Sequence, residues 1–231
     1  MTLTSEQVKF LKSVEKELKA KDFDEIYWQA SNRYADACGL TRIFMAADID
    51  PLPYMSSIPN DYMYEYTEEG MFTIDVPQNI KEIGASAFRE SALTNIYLHD
   101  GIVRIGSECF MGSMLRSIKI PTSIQIISRL CFKDCTMLTE VDIPANILMI
   151  RRRAFEGCTK LSEVTLHEGL EDIRDFAFTD CPSLKKIYIP ESVYRISPQA
   201  FDKERITISG KKGSHAEQYA QGRNIPFIEV P

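Results

Sequence analysis

The sequence predicts an α+β chain in which helices precede a long stack of short β-strands and turns. Apolar side chains return at intervals of 22 or 23 residues from residue 74 onward, and each interval contains two short apolar segments separated by turn residues. The first 47 residues instead follow a helical pattern. One interval is too small to bury its own apolar face, so we expect the repeated units to stack into a solenoid.

The repeat is defined by columns of apolar residues that share one spacing of 22, 22, 23, 23 and 23 residues. The first is a phenylalanine that follows a small residue: Phe88, Phe110, Phe132, Phe155, Phe178 and Phe201. The second is β-branched: Ile74, Ile96, Ile118, Val141, Val164 and Ile187. The third is an isoleucine: Ile83, Ile105, Ile127, Ile150, Ile173 and Ile196. Columns that keep one register over five successive spacings predict six stacked units.

Each unit follows the same plan. The segment 141–143 alternates apolar and polar residues, which predicts a strand, and Pro144 ends it. A second apolar step then leads to Ile150 and to the small residue that precedes phenylalanine. In two units the proline is replaced by His99 or His167, each followed by an acid and a glycine, which is turn chemistry.

Four parts of the chain are predicted from this pattern. Residues 1–57 form a helical domain or cap, with helices expected near 5–18, 24–38 and 41–47. Residues 58–71 form a degenerate half repeat that caps the stack, and residues 72–204 hold the six repeats. Residues 205–231 form a closing strand, a helix from His215 to Gln221 that Gly222 stops, and a last strand.

The pattern I-x-I-P-x-x-I-x-x-I-x-x-x-A-F-x-x-C-x-x-L resembles the BspA-type leucine-rich repeat family, and it is clearest from Val141 to Leu161. The resemblance covers about residues 72–204, and residues 206–230 resemble the segment that ends such arrays. It implies a right-handed leucine-rich-repeat solenoid that works by binding and has no catalytic residues. The N-terminal helices and the string I-D-P-L-P-Y-M at 49–55 also resemble leucine-rich repeat proteins encoded in phage genomes.

Composition and charge narrow the class of protein. The 231 residues are 44% hydrophobic and 26% charged, which is ordinary for a globular chain, and the net charge of -6 disfavours nucleic acid as a partner. No apolar run approaches the ~20 residues of a membrane span, so we expect no membrane partner. Charges interrupt the only apolar stretch near the N-terminus, so we expect a cytoplasmic protein of a bacterial cell that is not secreted.

The sequence lacks the motifs that are typical of catalytic and metal sites. We find no H-E-x-x-H, paired C-x-x-C, G-x-S-x-G, Walker loop or G-x-G-x-x-G pattern, so we expect no enzyme activity, no cofactor and no metal. Five cysteines fall in columns that favour a small side chain, either just before phenylalanine or three residues after it: Cys109, Cys131, Cys135, Cys158 and Cys181. We interpret these five as inert core thiols and leave Cys38 open.

Function is therefore sought on the solenoid surface, where three sets of residues stand out. The first is an apolar stripe, which is either a binding patch or incidental: Val103, Ile126, Leu148 and Met149. The second is an arginine ladder, which either meets an acidic partner or a phosphate backbone or is a solvated edge balanced by Glu156, Asp175 and Glu171: Arg129, Arg151, Arg152, Arg153 and Arg174. The third set, Tyr97 and Tyr188, consists of either interaction hot spots or good strand formers.

The leading hypothesis is a non-catalytic protein-protein interaction module, encoded by a phage, that binds a host or phage protein. It would bind through the solenoid face or the N-terminal helices, which could also form a homodimer. A sharper form is a phage inhibitor of a bacterial defence enzyme, of the anti-CRISPR kind. The alternatives are a bacterial surface adhesin and an enzyme housed in the N-terminal helical segment.

Overall fold

The computed structural model describes residues 57–58, 72–76 and 78–231, and these form a parallel β-solenoid. The second strand of each turn lies in this set: β1 (Ser57–Ile58), β3 (Glu82–Ile83), β5 (Arg104–Ile105), β6 (Ile126–Ile127), β8 (Met149–Ile150), β10 (Asp172–Ile173) and β12 (Arg195–Ile196). The first strand lies in this set: β2 (Phe72–Asp75), β4 (Leu93–Tyr97), β7 (Glu140–Ile143), β9 (Glu163–Leu166), β11 (Lys186–Tyr188), β13 (Thr207–Gly210) and β14 (Phe227–Glu229). The predicted solenoid of short strands and turns is confirmed.

Strand pairing places the sequence columns directly above one another. All pairings between described strands are parallel, and Val141 pairs with Val164 while Ile150 pairs with Ile173. Ile58 pairs with Ile83 and so extends the isoleucine column one turn towards the N-terminus. Parallel pairing in this register follows from the repeat itself, because a shift by one residue would turn every inward side chain to the surface.

The core is one continuous column of apolar side chains along the solenoid axis. The six phenylalanine rings stack nearly parallel, with neighbouring centroids 5.1 to 5.6 Å apart. Phe88, Phe110 and Phe155 are fully buried, and the isoleucine column beside them is buried as well. Each unit buries its apolar face only against its neighbours, which is the energetic basis of a solenoid.

The segment around each phenylalanine forms a third ladder between units. The N–H of Phe132 donates to the carbonyl of Ala154 at 2.8 Å, and the N–H of Phe155 donates to Ala177 at 2.9 Å. Two positions in this segment take left-handed backbone angles, for example Arg153 at φ 60° and Gly157 at φ 75°. This conformation aims successive N–H groups at the next unit, so the ladder holds even where the residue is not glycine.

Both rows of strands are interrupted between the second and third units, and we call this position the seam. Strands β5 and β6 belong to separate sheets, and β4 has no strand partner in the third unit, whose first segment makes only a Lys119–Asp142 bridge. At the seam the Ser128 hydroxyl donates to the Ile105 carbonyl at 2.6 Å, and the Thr122 N–H donates to Asp100 at 2.7 Å. Side chains therefore replace part of the backbone ladder there.

Residues 205–231 close the C-terminal end with β13, helix α1 (His215–Arg223) and β14. The Ser214 side chain caps the helix by accepting the Glu217 N–H. Tyr219 meets the last ring of the stack, Phe201, edge-on at 6.3 Å. The predicted helix end at Gln221 is wrong by two residues, because Asn224 rather than Gly222 takes the left-handed capping conformation.

Several sequence predictions fall outside the described part of the chain. These are the helical domain over residues 1–57 apart from β1, the half repeat over 58–71 apart from Ile58, and the environment of Cys38. Among residues 72–76 and 78–231, no helix combines the length and the apolar character needed to cross a membrane.

Candidate functional site

Two surfaces of the solenoid are built by the outward residues of the strands. The first-strand face carries the outward residues of the first strand of each unit, and the second-strand face carries the residues that flank each inward isoleucine of the second strand. In each unit these flanking residues stand one and two positions before the isoleucine and one position after it. Met149 and Arg151 on either side of the buried Ile150 are an example.

The predicted apolar stripe lies on the second-strand face. Ile126 and Met149 are register partners in β6 and β8, and both are partly buried. Leu148, next to Met149, is 39% exposed, and Val103 is 59% exposed on the far side of the seam. Three of the four residues are thus brought together in neighbouring units, and Val103 extends the set across the sheet break. Aliphatic side chains in three successive units, of which Val103 and Leu148 are exposed, form a patch of the kind that binds a partner.

A buried carboxylate borders this patch. Asp172 pairs with Met149 in the next strand, and its side chain is almost fully buried although the repeat assigns it to an exposed column. Its Oδ2 lies 2.9 Å from Arg174 Nη2 and accepts from Arg195 at 3.4 Å, whereas its Oδ1 has no hydrogen-bond partner among the described residues. Two arginines therefore cover Asp172, which is the only buried residue of its column in the six described units.

Most of the arginine ladder is neutralised by carboxylates. Arg129 contacts Glu108 at 2.7 Å, and Arg153 contacts Glu156 at 3.4 Å. Arg174 contacts Asp172, as described above. Of the acids predicted to balance the ladder only Glu156 does so, because Asp175 accepts from Ser197 and Glu171 accepts from Tyr194. Arg151 and Arg152 are exposed and make no ion pair with any described residue.

Phe176 organises the arginines from the neighbouring unit. The guanidinium carbons of Arg153 and Arg152 lie 4.9 Å and 5.6 Å from its ring centroid, which is cation–π geometry. Phe176 has φ 59°, in the same column as Leu130 and Arg153, so the repeat rather than the side chain imposes this backbone. Sequence reasoning missed Phe176, and the only available signal was its place one unit after the run of three arginines.

The two tyrosines lie on the first-strand face, apart from the stripe and from each other. Tyr97 is 63% exposed and Tyr188 is 37% exposed. Four units separate them, which is about 19 Å at the usual strand spacing of about 4.8 Å. Asp142 and Lys119 stand between them in the same outward column. The structure therefore does not assemble Tyr97 and Tyr188 into one site.

The five described cysteines are buried and free. The thiols of Cys135, Cys158 and Cys181 donate to the phenylalanine carbonyls of the preceding unit at 3.0 to 3.1 Å. Burial raises the pKa of Cys135 and of Cys181 to about 12. A thiol that resists ionisation is a poor nucleophile and a poor metal ligand, so the interpretation of these residues as inert core thiols agrees with their surroundings.

Within the described ranges, no group of three or more His, Cys, Asp or Glu side chains is placed to hold a metal ion. The two turn histidines have separate local partners. His167 Nε2 lies 2.7 Å from Asp142, and His99 Nδ1 accepts the Gly101 N–H at 3.1 Å. The features that the surface offers are thus an exposed apolar patch and its charged border, which are means of binding.

Solved structures of bacterial leucine-rich repeat proteins are similar to this chain. A protein from Eubacterium ventriosum matches at 23% identity over 52% of this chain and 40% of its own, with a TM-score of 0.43. The pneumococcal vaccine antigen PcpA matches at 21% identity over 71% and 43%, with a TM-score of 0.56. The Treponema pallidum leucine-rich repeat protein matches at 17% identity over 68% and 86%, with a TM-score of 0.52. The chain therefore spans less than half of the first two proteins. The likenesses to PcpA and to the Treponema pallidum protein show the fold alone.

No protein with a curated description matches the chain significantly. The sequence profile of the BspA type leucine rich repeat region, in contrast, matches residues 56–151 and 125–209 with six copies. Together these ranges cover about two thirds of the 231 residues. The described residues within these ranges form the stacked units with the phenylalanine column at their centre. The chain belongs to the BspA-type leucine-rich repeat family.

Proposed function

We propose that this chain is a non-catalytic protein-binding module whose working surface is the second-strand face. The observation that carries the proposal is the apolar patch formed by Val103, Ile126, Leu148 and Met149 in successive units. A charged rim borders the patch, with Arg104 and Glu82 paired on one side and Asp172 with its arginines on the other. An apolar centre inside a polar rim is the usual anatomy of a protein interface.

The second-strand face is the better candidate of the two described faces. Its aliphatic outward residues occupy three successive units, whereas Tyr97 and Tyr188 on the first-strand face are four units apart and separated by charged residues. Binding energy is concentrated where anchors cluster and exclude water together. The family membership supports the same conclusion, since leucine-rich repeat solenoids typically serve as interaction scaffolds.

The proposal extends to the partner and the compartment. The partner is a host or phage protein in the bacterial cytoplasm, and the sharper form is inhibition of a host defence enzyme. What supports this extension is the resemblance of the N-terminal segment and residues 49–55 to phage-encoded leucine-rich repeat proteins. Cell fractionation tests the compartment, and recovery of the chain at the cell surface would favour the adhesin alternative instead.

The working surface is tested with glutamine substitutions. Gln125 already occupies the column of Val103 and Leu148, so the double variant Val103→Gln, Leu148→Gln keeps the fold and the net charge. We expect co-purification from host lysate, quantified by mass spectrometry, to return a partner with the wild-type chain and to lose it with this variant. The matched control is Tyr97→Gln, Tyr188→Gln, which removes two exposed aromatic side chains from the first-strand face.

The proposal is overturned if the control loses the partner while the second-strand variant keeps it. It is equally overturned if the wild-type chain returns no specific partner. Circular dichroism melts of both variants are compared with the wild type, so that a loss of fold is not read as a loss of binding.

A further inference from the structure

We infer that the second-strand face takes an acidic protein segment, in which apolar side chains are followed by carboxylates along the solenoid axis. This inference rests on the proposed function and adds the chemistry of the partner. Two observations lead to it. Apolar and cationic side chains follow each other in a fixed order along the units, and some of the cations have no carboxylate partner in the part of the chain that the structure describes.

The charge of this face is opposite to that of the chain. The whole protein carries -6, yet the second-strand face presents five cations: Lys81, Arg104, Arg151, Arg174 and Arg195. Only three carboxylates share that face: Glu82, Glu171 and Asp172. A local surplus of cations beside an apolar patch complements an anionic partner, and complementary charge fixes both specificity and register.

Arg151 and Arg152 are exposed arginines that make no ion pair with any described residue, and Arg151 lies on the second-strand face. Arg151 follows Met149 by two residues, with the buried Ile150 between them, so strand alternation puts both side chains on one face. The next unit demonstrates this placement, because Arg174 reaches Asp172, which lies two residues before it, at 2.9 Å. An unpaired guanidinium therefore stands directly beside the most apolar part of the patch.

Arg174 and Arg195 offer further N–H donors to a ligand on the second-strand face. They share a single oxygen of Asp172, and their side chains are 41% and 55% exposed. A guanidinium carries five N–H donors and matches a carboxylate in a bidentate arrangement, so one shared oxygen leaves most of these donors for a ligand. Incoming carboxylates would complete the hydrogen bonding of both arginines without disturbing Asp172.

The apolar and basic parts follow each other along the axis. Aliphatic side chains occupy units two to four, where Arg104 is paired with Glu82. The arginines Arg151, Arg174 and Arg195 occupy units four to six, beside the exposed Tyr194. Four steps of about 4.8 Å span about 19 Å, which an extended segment of about six residues covers. The expected ligand is thus a short segment whose first half is apolar and whose second half is acidic.

A protein segment fits this surface better than an anionic membrane does. Recognition of anionic lipid requires a cluster of several unpaired basic side chains. Here Arg104 is paired with Glu82, and Arg174 and Arg195 share Asp172. The remaining surplus is small and ordered, which suits a few carboxylates at fixed positions.

The test uses two synthetic acetylated octapeptides, one with leucines in its first half and glutamates in its second, and one with lysines in place of the glutamates. Binding to the full chain is followed by amide chemical-shift perturbation in NMR. We expect the glutamate peptide alone to shift residues in β6, β8 and β10, with affinity falling about tenfold between about 50 mM and about 300 mM NaCl. The double variant Arg151→Glu, Arg152→Glu should lower the affinity about tenfold.

The matched control is Lys185→Glu, Lys186→Glu, which makes the same change of net charge at exposed positions of the first-strand part of unit six. We expect it to keep the affinity within about twofold. Equal binding of the lysine peptide, or no effect of the arginine reversal, overturns the inference. Arginine-dependent binding to phosphatidylserine vesicles without binding of the glutamate peptide also overturns it, as does concentration-dependent self-association that the arginine reversal abolishes.

Failure here is distinguishable from failure of the proposed function. If Val103→Gln, Leu148→Gln abolishes capture of the natural partner while the arginine reversal and salt leave it intact, the face binds proteins but not through acids. If neither variant changes capture, both the proposed function and this inference are wrong.

Discussion

The two strand faces of the solenoid are built on the same inward columns and differ in almost everything that points outward. The first-strand face sets four carboxylates against two lysines in the six units, with its tyrosines far apart. The second-strand face sets five cations against three carboxylates and gathers its apolar residues in adjacent units. Since both faces rest on the same buried columns, any difference in what they bind must come from these outward residues.

The faces also differ in how their charges are satisfied. On the first-strand face Glu140 and Glu163 are direct register partners and both are exposed to water. On the second-strand face the carboxylate of Asp172 is buried under Arg174 and Arg195. The exposed Glu140 and Glu163 are therefore left to the solvent, whereas the Asp172 carboxylate is held in place by its arginine neighbours.

The variant with the largest expected loss of stability tests whether the two faces share one core. Phe132→Ala removes the middle ring of the stack, whose centroid lies 5.4 Å from Phe110 and 5.1 Å from Phe155. We expect the free energy of unfolding to fall by about 3–5 kcal/mol, measured by urea titration. The control Tyr97→Ala, at an exposed site, should change it by less than about 0.5 kcal/mol. A small loss in Phe132→Ala would show that the faces rest on separate cores.

The next effect concerns the second-strand face alone. Asp172→Asn replaces a charge-assisted contact to two arginines by a neutral one, so we expect a loss of about 1–2 kcal/mol in urea unfolding. Glu191→Gln is the comparison, since the Glu191–Lys211 pair is 2.8 Å long but more than half exposed. It should cost less than about 0.5 kcal/mol. Equal losses in the two variants would contradict the special position of Asp172.

A smaller contribution to stability depends on pH and comes from Glu168, in the turn that joins the two faces in unit five. Burial raises the pKa of Glu168, but the N–H groups of Glu191 and Ser192, each at 3.0 Å, lower it more, so its pKa lies below the usual range. The resulting stability is present above the unfolded pKa of about 4.3 and is lost as the pH falls through the folded pKa.

We therefore expect Glu168→Gln to lower the stability at pH 7 by less than about 1 kcal/mol, because solvent screens this exposed turn. Thermal melts in steps from pH 7 to below pH 4 should show the difference from wild type shrinking as the acid is protonated. A difference that stays constant over that range would contradict the role of the carboxylate charge.

The smallest effect has the opposite sign and belongs to the first-strand face. Glu140→Thr removes the like-charge pair with Glu163 and introduces a good strand former, so we expect a gain of a few tenths of a kcal/mol. Thermal melts at low salt measure it. The gain should diminish at high salt, and an undiminished gain would assign it to strand propensity instead of repulsion.

The inward part of the fold could be predicted from the sequence because it repeats. Ile150, Phe155 and their counterparts each recur six times, and repetition turns a weak local pattern into a register. The cysteine columns were predictable for the same reason, since Cys131 stands where other units place alanine. Repetition also located the outward stripe, because a fixed register places residues in neighbouring units side by side.

The details that repetition does not encode could not be predicted. The burial of Asp172 depends on Arg174 and Arg195, which lie in the same unit and in the next, and no column marks it. The contact of Arg152 and Arg153 with Phe176 likewise joins two units, and although Arg153 and Phe176 share a column, no other unit has an aromatic residue there. The seam depends on the geometry of one junction in which serine hydroxyls replace ladder bonds, and strand propensity does not distinguish that junction from the others.

The seam interrupts the solenoid only in part. The phenylalanine ladder continues across the seam, where the Phe110 N–H donates to Cys131 at 2.9 Å, while both rows of strands are broken there. Val103 and Ile126 stand on opposite sides of this junction. A ligand seated across both residues would therefore link two units that no described strand pair joins.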